Sequence, residues 1–165
     1  MLKKAMFAAM LMTQALGAGA ADVYPSKPIR FVVPYPPGGP TDAMARLIQA
    51  PLQAKLNAVI VIDNRGGAGG NIGTGMVAKA PADGYTILLA ASGPMAVNKT
   101  LYKSISFDPD KDFTPIIQIS AFPLVLEVHP SLPVTNLKQF IAMAKDKPDL
   151  LSFASAGNGT PQHLA

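Results

Sequence analysis

Two loops carry the residues whose types and order could do chemistry. The first reads Pro34-Tyr35-Pro36-Pro37-Gly38-Gly39-Pro40-Thr41-Asp42. Its prolines have no backbone N–H, while Gly38 and Gly39 can take positive φ and let a ligand come close to the main chain. The N–H groups that follow belong to a helix start, where the dipole favours an anion. The second loop reads Ser155-Ala156-Gly157-Asn158-Gly159-Thr160-Pro161-Gln162-His163. Neither loop contains Lys or Arg. A carboxylate would therefore be held by N–H dipoles, by the hydroxyls of Thr41, Ser155 and Thr160, by the Asn158 amide and by water. That is the chemistry of reversible binding. Asp42 has two readings: a carboxylate stabilised by the helix dipole, or a partner for the ammonium group of an amino-acid ligand. Ala91-Ser92-Gly93 is a third loop of the same kind.

The elements that must position these loops follow from periodicity. Ile29 to Val33 reads as a strand. Met44, Leu47, Ile48 and Leu52 recur at helical spacing across Thr41 to Leu56, with a kink or break expected near Ala50 because of Pro51. Val59 to Ile62 is a second strand, Asn71 to Ala80 a short helix, and Tyr85 to Ala90 a third strand. The order β-α-β-α-β implies parallel strands, and ligands of parallel sheets collect at the strands' carboxyl ends. Beyond it, Met95 to Tyr102 and Asn136 to Lys145 read as helices. Pro115 to Ile119, Leu124 to Val128 and Leu151 to Ala154 read as strands.

Other constellations point away from catalysis and cofactors. Gly73-Thr74-Gly75-Met76-Val77-Ala78 matches a dinucleotide fingerprint, but its glycines lie well past the strand end and no acid follows the next strand; close helix packing explains it better. Asp108, Asp110 and Asp112 lack the later glycine and glutamate of a calcium loop and read as a solvated surface segment. The rival function is a secreted serine hydrolase pairing Ser155 or Ser92 with His129 or His163, although no spacing supplies a nucleophile–base pair. No cysteine is present, so there is neither a disulfide framework nor a thiolate metal site, and no cofactor is expected.

With 165 residues, 49% of them hydrophobic and 15% charged, the chain can form a core. Residues 1–20 read as a signal peptide. Lys3 and Lys4 form the basic region, Ala5 to Leu16 the apolar stretch, and Ala18-Gly19-Ala20 the small-residue cleavage site. Without Lys3 and Lys4 the formal net charge drops from +4 to +2, and no basic cluster remains for nucleic acid. Export without disulfides fits a bacterial periplasm.

Five stretches together resemble one family. They are Tyr24-Pro25-Ser26-Lys27-Pro28-Ile29-Arg30, Pro36 to Asp42, Asn64-Arg65-Gly66-Gly67-Ala68-Gly69-Gly70-Asn71-Ile72-Gly73, Pro81-Ala82-Asp83-Gly84-Tyr85-Thr86 and Ser155 to Leu164. The chain is similar to the Bug family, the periplasmic receptors of tripartite tricarboxylate transporters. The resemblance implies an α/β, periplasmic-binding-protein-like two-domain clamshell that captures a small carboxylate as a monomer and delivers it to a membrane permease, with no chemistry. It puts Gly38, Gly39, Thr41 and Asp42 in one jaw and Ser155, Asn158, Gly159, Thr160 and His163 in the other, with Ser92 lining the pocket. The first domain is expected over residues 21–105 and the start of the second over 106–165. Family members are about twice this length, in keeping with two ordinary domains. The last helix stops after one turn, so the chain is expected to be a fragment cut off at its C-terminus, with a non-functional gene fragment as a further alternative.

Overall fold

The computed structural model describes residues 23–121, 123–148 and 151–165. The signal-peptide reading of residues 1–20 lies outside them. Three parallel strands form the sheet: β1 (Ile29–Val33), β2 (Ile60–Asn64) and β3 (Thr86–Leu88), in the order β2-β1-β3. Register pairs Phe31 with Ile62 on one side and with Ile87 on the other. The first strand is therefore central, and the chain leaves it in opposite directions. That makes the loop after β1 a topological switch point, where open α/β sheets bind ligands.

Alternation along β1 sends side chains to both faces. Ile29, Phe31 and Val33, each at most 3% exposed, form the core with Ala45, Ile60 and Leu89. Met44, Ile48 and Leu52 of helix α1 (Pro40–Leu56) pack against it. Fully burying a side chain such as Ile29 or Phe31 is worth ~1.5–3 kcal/mol. The opposite face carries Arg30 and the fully buried Val32. Arg30 reaches Met76 of helix α2 (Asn71–Ala78) at 3.4 Å and pairs with Asp63 of β2.

Helix α1 runs unbroken to Leu56, against the expected break at Ala50. Pro51 removes one ladder hydrogen bond, but Leu47, whose carbonyl loses that partner, is on the solvent side at 71% exposure. Contacts on the other side of the helix, from Ile48 and Leu52, keep it continuous across Pro51. Asn57 ends it in the left-handed region at φ 48°. Gln53 and Gln49 then clamp β2: the Gln53 Oε1 accepts from the Ile60 N–H at 2.9 Å, and the Gln49 amide donates to the Ile60 carbonyl at 2.8 Å.

Among the described residues the remaining helical pieces are a 3-10 turn at Ala68–Gly70, a π-turn at Gly93–Val97, α3 (Asn98–Leu101), α4 (Leu137–Asp146) and α5 (Pro161–Leu164). Asn136 caps α4 by accepting from the Gln139 N–H at 3.0 Å, while the Gln139 side chain accepts from the Thr135 N–H at 2.8 Å. This is a reciprocal cap of the capping-box type. The three strands expected at Pro115 to Ile119, Leu124 to Val128 and Leu151 to Ala154 do not form; all three segments are irregular. A strand needs a neighbour for its N–H and C=O groups. Among the described residues these segments have none, and Ile116, Ile117 and Val125 are 75–82% exposed. No residue of α4 is buried. The second half of the chain is thus the incomplete part of the fold.

Candidate functional site

The first loop is built around Asp42. Its carboxylate is buried and accepts from the Gly38 N–H at 2.9 Å, from Arg46 Nε at 2.9 Å and from the Asn64 amide at 3.0 Å. Asn64, at the end of β2, also donates to the Tyr35 carbonyl at 3.1 Å. The Arg46 hydrogen bond, followed by that from Gly38, lowers the Asp42 pKa from 3.8 to about 2. Gly38 sits at φ +86°, and nothing lies within 4 Å of the place a side chain would occupy. The Asp42 carboxylate thus ties the loop to its own helix and to β2, and its oxygens face inward.

What this bracing leaves open is the start of α1. Pro40 has no N–H, and the Ala43 N–H bonds the Gly39 carbonyl at 2.9 Å. The N–H groups of Gly39, Thr41 and Asp42 have no partner among the described residues. They are oriented donors at the positive end of a helix of 17 residues.

The second loop is folded on itself. The Thr160 hydroxyl donates to the Gly157 carbonyl at 2.7 Å, and the Thr160 N–H reaches the same oxygen at 3.2 Å. The Gly157 N–H reaches Ser155 Oγ at 3.3 Å, and the Gly159 N–H reaches His163 Nδ1 at 3.5 Å. Gly159 and Thr160 are buried, while Ser155 and Asn158 are exposed. Ser92 is exposed at the end of the β3 loop.

These loops share one open trough of about 2170 Å³. Gly39, Thr41, Ser92 and Thr160 line it, together with Tyr35, Met95, Ala156 and Gln162. Gly38, Asp42, Ser155, Asn158, Gly159 and His163 do not. The trough exceeds the roughly 300–1,000 Å³ of a small-molecule pocket. Much of its remaining lining is apolar, including Phe31, Leu52, Ile87 and Ile116. Among the described residues lining it, Lys55, in the last turn of α1, is the sole Lys or Arg. Burial, with the neighbouring Tyr102 as a second cause, pushes the Tyr35 hydroxyl above its usual 10.0.

Neither candidate serine meets a histidine. Ser155 is engaged with Gly157, His163 with Gly159, and His129 with Ser131 Oγ at 2.8 Å inside an exposed turn. Asn64, Arg46, Tyr35 and Tyr102 are structural partners of the site that motif reading passed over. The i, i+4 spacing of Asp42 and Arg46 was a readable signal; the partnership of Asn64 was not.

Two of the five resembling stretches strap onto each other away from the loops. Tyr24 donates to the Gly84 carbonyl at 2.8 Å, Tyr85 accepts from the Ser26 N–H at 2.8 Å, and Lys27 pairs with Asp83 at 3.0 Å. Gly73 and Gly75 of the fingerprint-like run also have structural roles. A Cβ at Gly73 would lie 2.5 Å from the Arg65 carbonyl oxygen and 2.9 Å from Pro34 Cα, and one at Gly75 would meet Ser106 Oγ.

Comparison with known proteins agrees with this architecture. Residues 44–165 match the tripartite tricarboxylate transporter family receptor model. The protein BugT of Bordetella pertussis is 44% identical over 146 residues, covering 88% of this chain and 45% of BugT. The structure of MatC from Rhodopseudomonas palustris with bound malate superposes with a TM-score of 0.79 at 35% identity, over 84% of this chain and 47% of that one. The periplasmic binding protein BugD gives 0.72 at 36% identity, over 86% and 47%. The chain spans about half the length of the curated relatives it matches. With a parallel α/β sheet shared with periplasmic binding proteins and a family match across most of its length, the chain belongs to the tripartite tricarboxylate transporter receptor family.

Proposed function

We propose that this chain is the gripping part of a periplasmic receptor that captures a small carboxylate for a tripartite tricarboxylate transporter. The observation that carries the reading is the meeting of two loops, far apart in sequence, on one trough. Gly39 and Thr41 line it from the first and Ala156, Thr160 and Gln162 from the second. The free N–H groups of Gly39, Thr41 and Asp42 supply the donors, and the dipole of α1 supplies a partial positive charge of about half a unit. A carboxylate suits such a neutral, donor-rich end. Malate, bound in MatC, is of this class. Asp42 holds the first jaw rigid, so its role toward ligand is through the loop. Ser155, Asn158 and His163 belong to the second jaw.

In this reading residues 1–20 direct export, residues 21–105 form most of the first domain, and residues 106–165 begin the second. The receptor works as a monomer, releases its ligand unchanged and hands it to a membrane permease. The test is thermal denaturation with a panel of malate, a longer dicarboxylate, a tricarboxylate and a primary amine. A carboxylate at about 100 times its Kd is expected to stabilise the folded protein by ~2.7 kcal/mol. A melting temperature unmoved by every carboxylate would refute the proposal.

A further inference from the structure

The second loop meets the segments at Gly69 and Gly93 main chain to main chain, and a fourth segment, Asn98 to Tyr102, joins them through side chains. Gly69 lies at φ +62°, and a Cβ there would collide with the Asn158 carbonyl oxygen and come within 2.9 Å of the Tyr102 hydroxyl. Gly159, at φ +83°, has Asn98 Oδ1 where its own Cβ would be. A Cβ on Gly93 would stand 2.9 Å from the Gly159 carbonyl oxygen. Such approach is possible only because all three positions lack a side chain. Two polar side chains complete the contact. The Tyr102 hydroxyl donates to the Asn158 carbonyl at 2.9 Å. Asn98 is fully buried, and its amide donates to Asn71 Oδ1 at 2.6 Å and to the Gly69 carbonyl at 3.3 Å.

This contact is notable for what surrounds it. Residues 152–156 and Asn158 are exposed, and α5 has no buried residue, yet Gly159 and Thr160 are buried. The loop is thus anchored through its centre, onto the connections that follow β2 and β3. We propose that Gly69, Asn98 and Tyr102 form a seat that positions the Ser155–His163 loop against the first jaw, with Tyr102 and Asn98 as positioning residues for ligand capture. The proposal rests on the reading of the two loops as a grip. A seated loop is ordered before ligand arrives; an unseated one must be ordered by the ligand, which weakens binding.

The test combines amide hydrogen exchange and malate titration on the full chain, comparing the unmodified protein with Tyr102→Phe and Gly69→Ala. Tyr102→Phe keeps the ring and deletes one donor; Gly69→Ala drives a methyl into Asn158. Exchange is expected to rise across residues 155–165 in both variants while peptides of β1 and β2 keep their protection. Malate affinity is expected to fall about 2- to 10-fold in Tyr102→Phe, the equivalent of one hydrogen bond, and further in Gly69→Ala. Unchanged exchange at 155–165 in both variants would overturn the seat. So would an equal rise in β1 and β2, which marks general loosening. Altered exchange with unaltered malate affinity would overturn the positioning role. A selective rise at 155–165 in a protein that binds no dicarboxylate at all would leave the seat standing and remove the carboxylate reading.

Discussion

Asp42 is the residue on which the first jaw turns, and acid should reveal it. Its pKa is about 2 in the folded chain against an ordinary 3.8, so the folded state favours the ionised form. That contribution is full above the ordinary value and is lost as pH falls through it toward 2. Asp83 shifts the same way, led by the hydrogen bond from the Tyr85 N–H. For Asp63, burial opposes ionisation, but the hydrogen bonds from Arg30 and Arg65 outweigh it and the net shift is again downward. The melting temperature should therefore drop between about pH 5 and about pH 2, and the drop should be smaller in Asp42→Asn, whose curve approaches that of the unmodified chain in acid. Circular dichroism melts across the series measure this; parallel curves would show that Asp42 does not contribute. Of the residue's two sequence readings, dipole partner or ammonium partner, the second needs oxygens that face a ligand. The structure turns them inward, onto Gly38, Arg46 and Asn64.

At the scale of elements, glycines decide how closely helices and loops approach the sheet. The run from Gly73 to Ala78 has the letters of a nucleotide fingerprint, but helix α2 uses its first glycine to lie against the Arg65 carbonyl and Pro34. Gly73→Ala should cost about 1–3 kcal/mol, the usual penalty of an overpacked site, despite the better helix propensity of alanine. Urea denaturation tests this, and a neutral or stabilising result would mean that α2 can shift outward freely. The elements around the sheet were legible because each has a partner within this chain. Helix α1, β1 and β2 appear close to where their apolar spacing puts them. The stretches Pro115 to Ile119 and Leu124 to Val128 have strand composition too, and form none. A strand's backbone groups are satisfied by a neighbour, and composition reports the preference without supplying the neighbour.

For the molecule as a whole, burial is uneven. The core lies between the sheet and α1, whereas residues 114–121 and 123–131 are exposed throughout. Chymotrypsin should therefore cut first between Thr114 and Pro133, at positions such as Leu124 and Leu126, and leave a resistant piece containing β1, β2 and β3. Mass spectrometry of the early fragments would identify the cuts. Early cleavage within α1 or the strands would contradict this distribution of stability. The same exposed apolar side chains, Ile116, Ile117 and Val125 among them, are the type of surface that another layer of structure normally covers.

The sequence by itself determined the local things: which segments repeat at helical or strand spacing, which loops are rich in glycine and free of cations, and the ordered set of stretches that carries the family likeness. These are properties of neighbours along the chain, or of the order of its parts. Only the tertiary structure decided how those loops are held. Asn64 reaches Tyr35 and Asp42 across 29 and 22 positions of sequence, and Tyr102 reaches Asn158 across 56. No local pattern encodes such contacts, because each depends on where the sheet sends two distant connections. β1 is central, its loop opens at the switch point, and the loops after β2 and β3 converge beneath the second jaw.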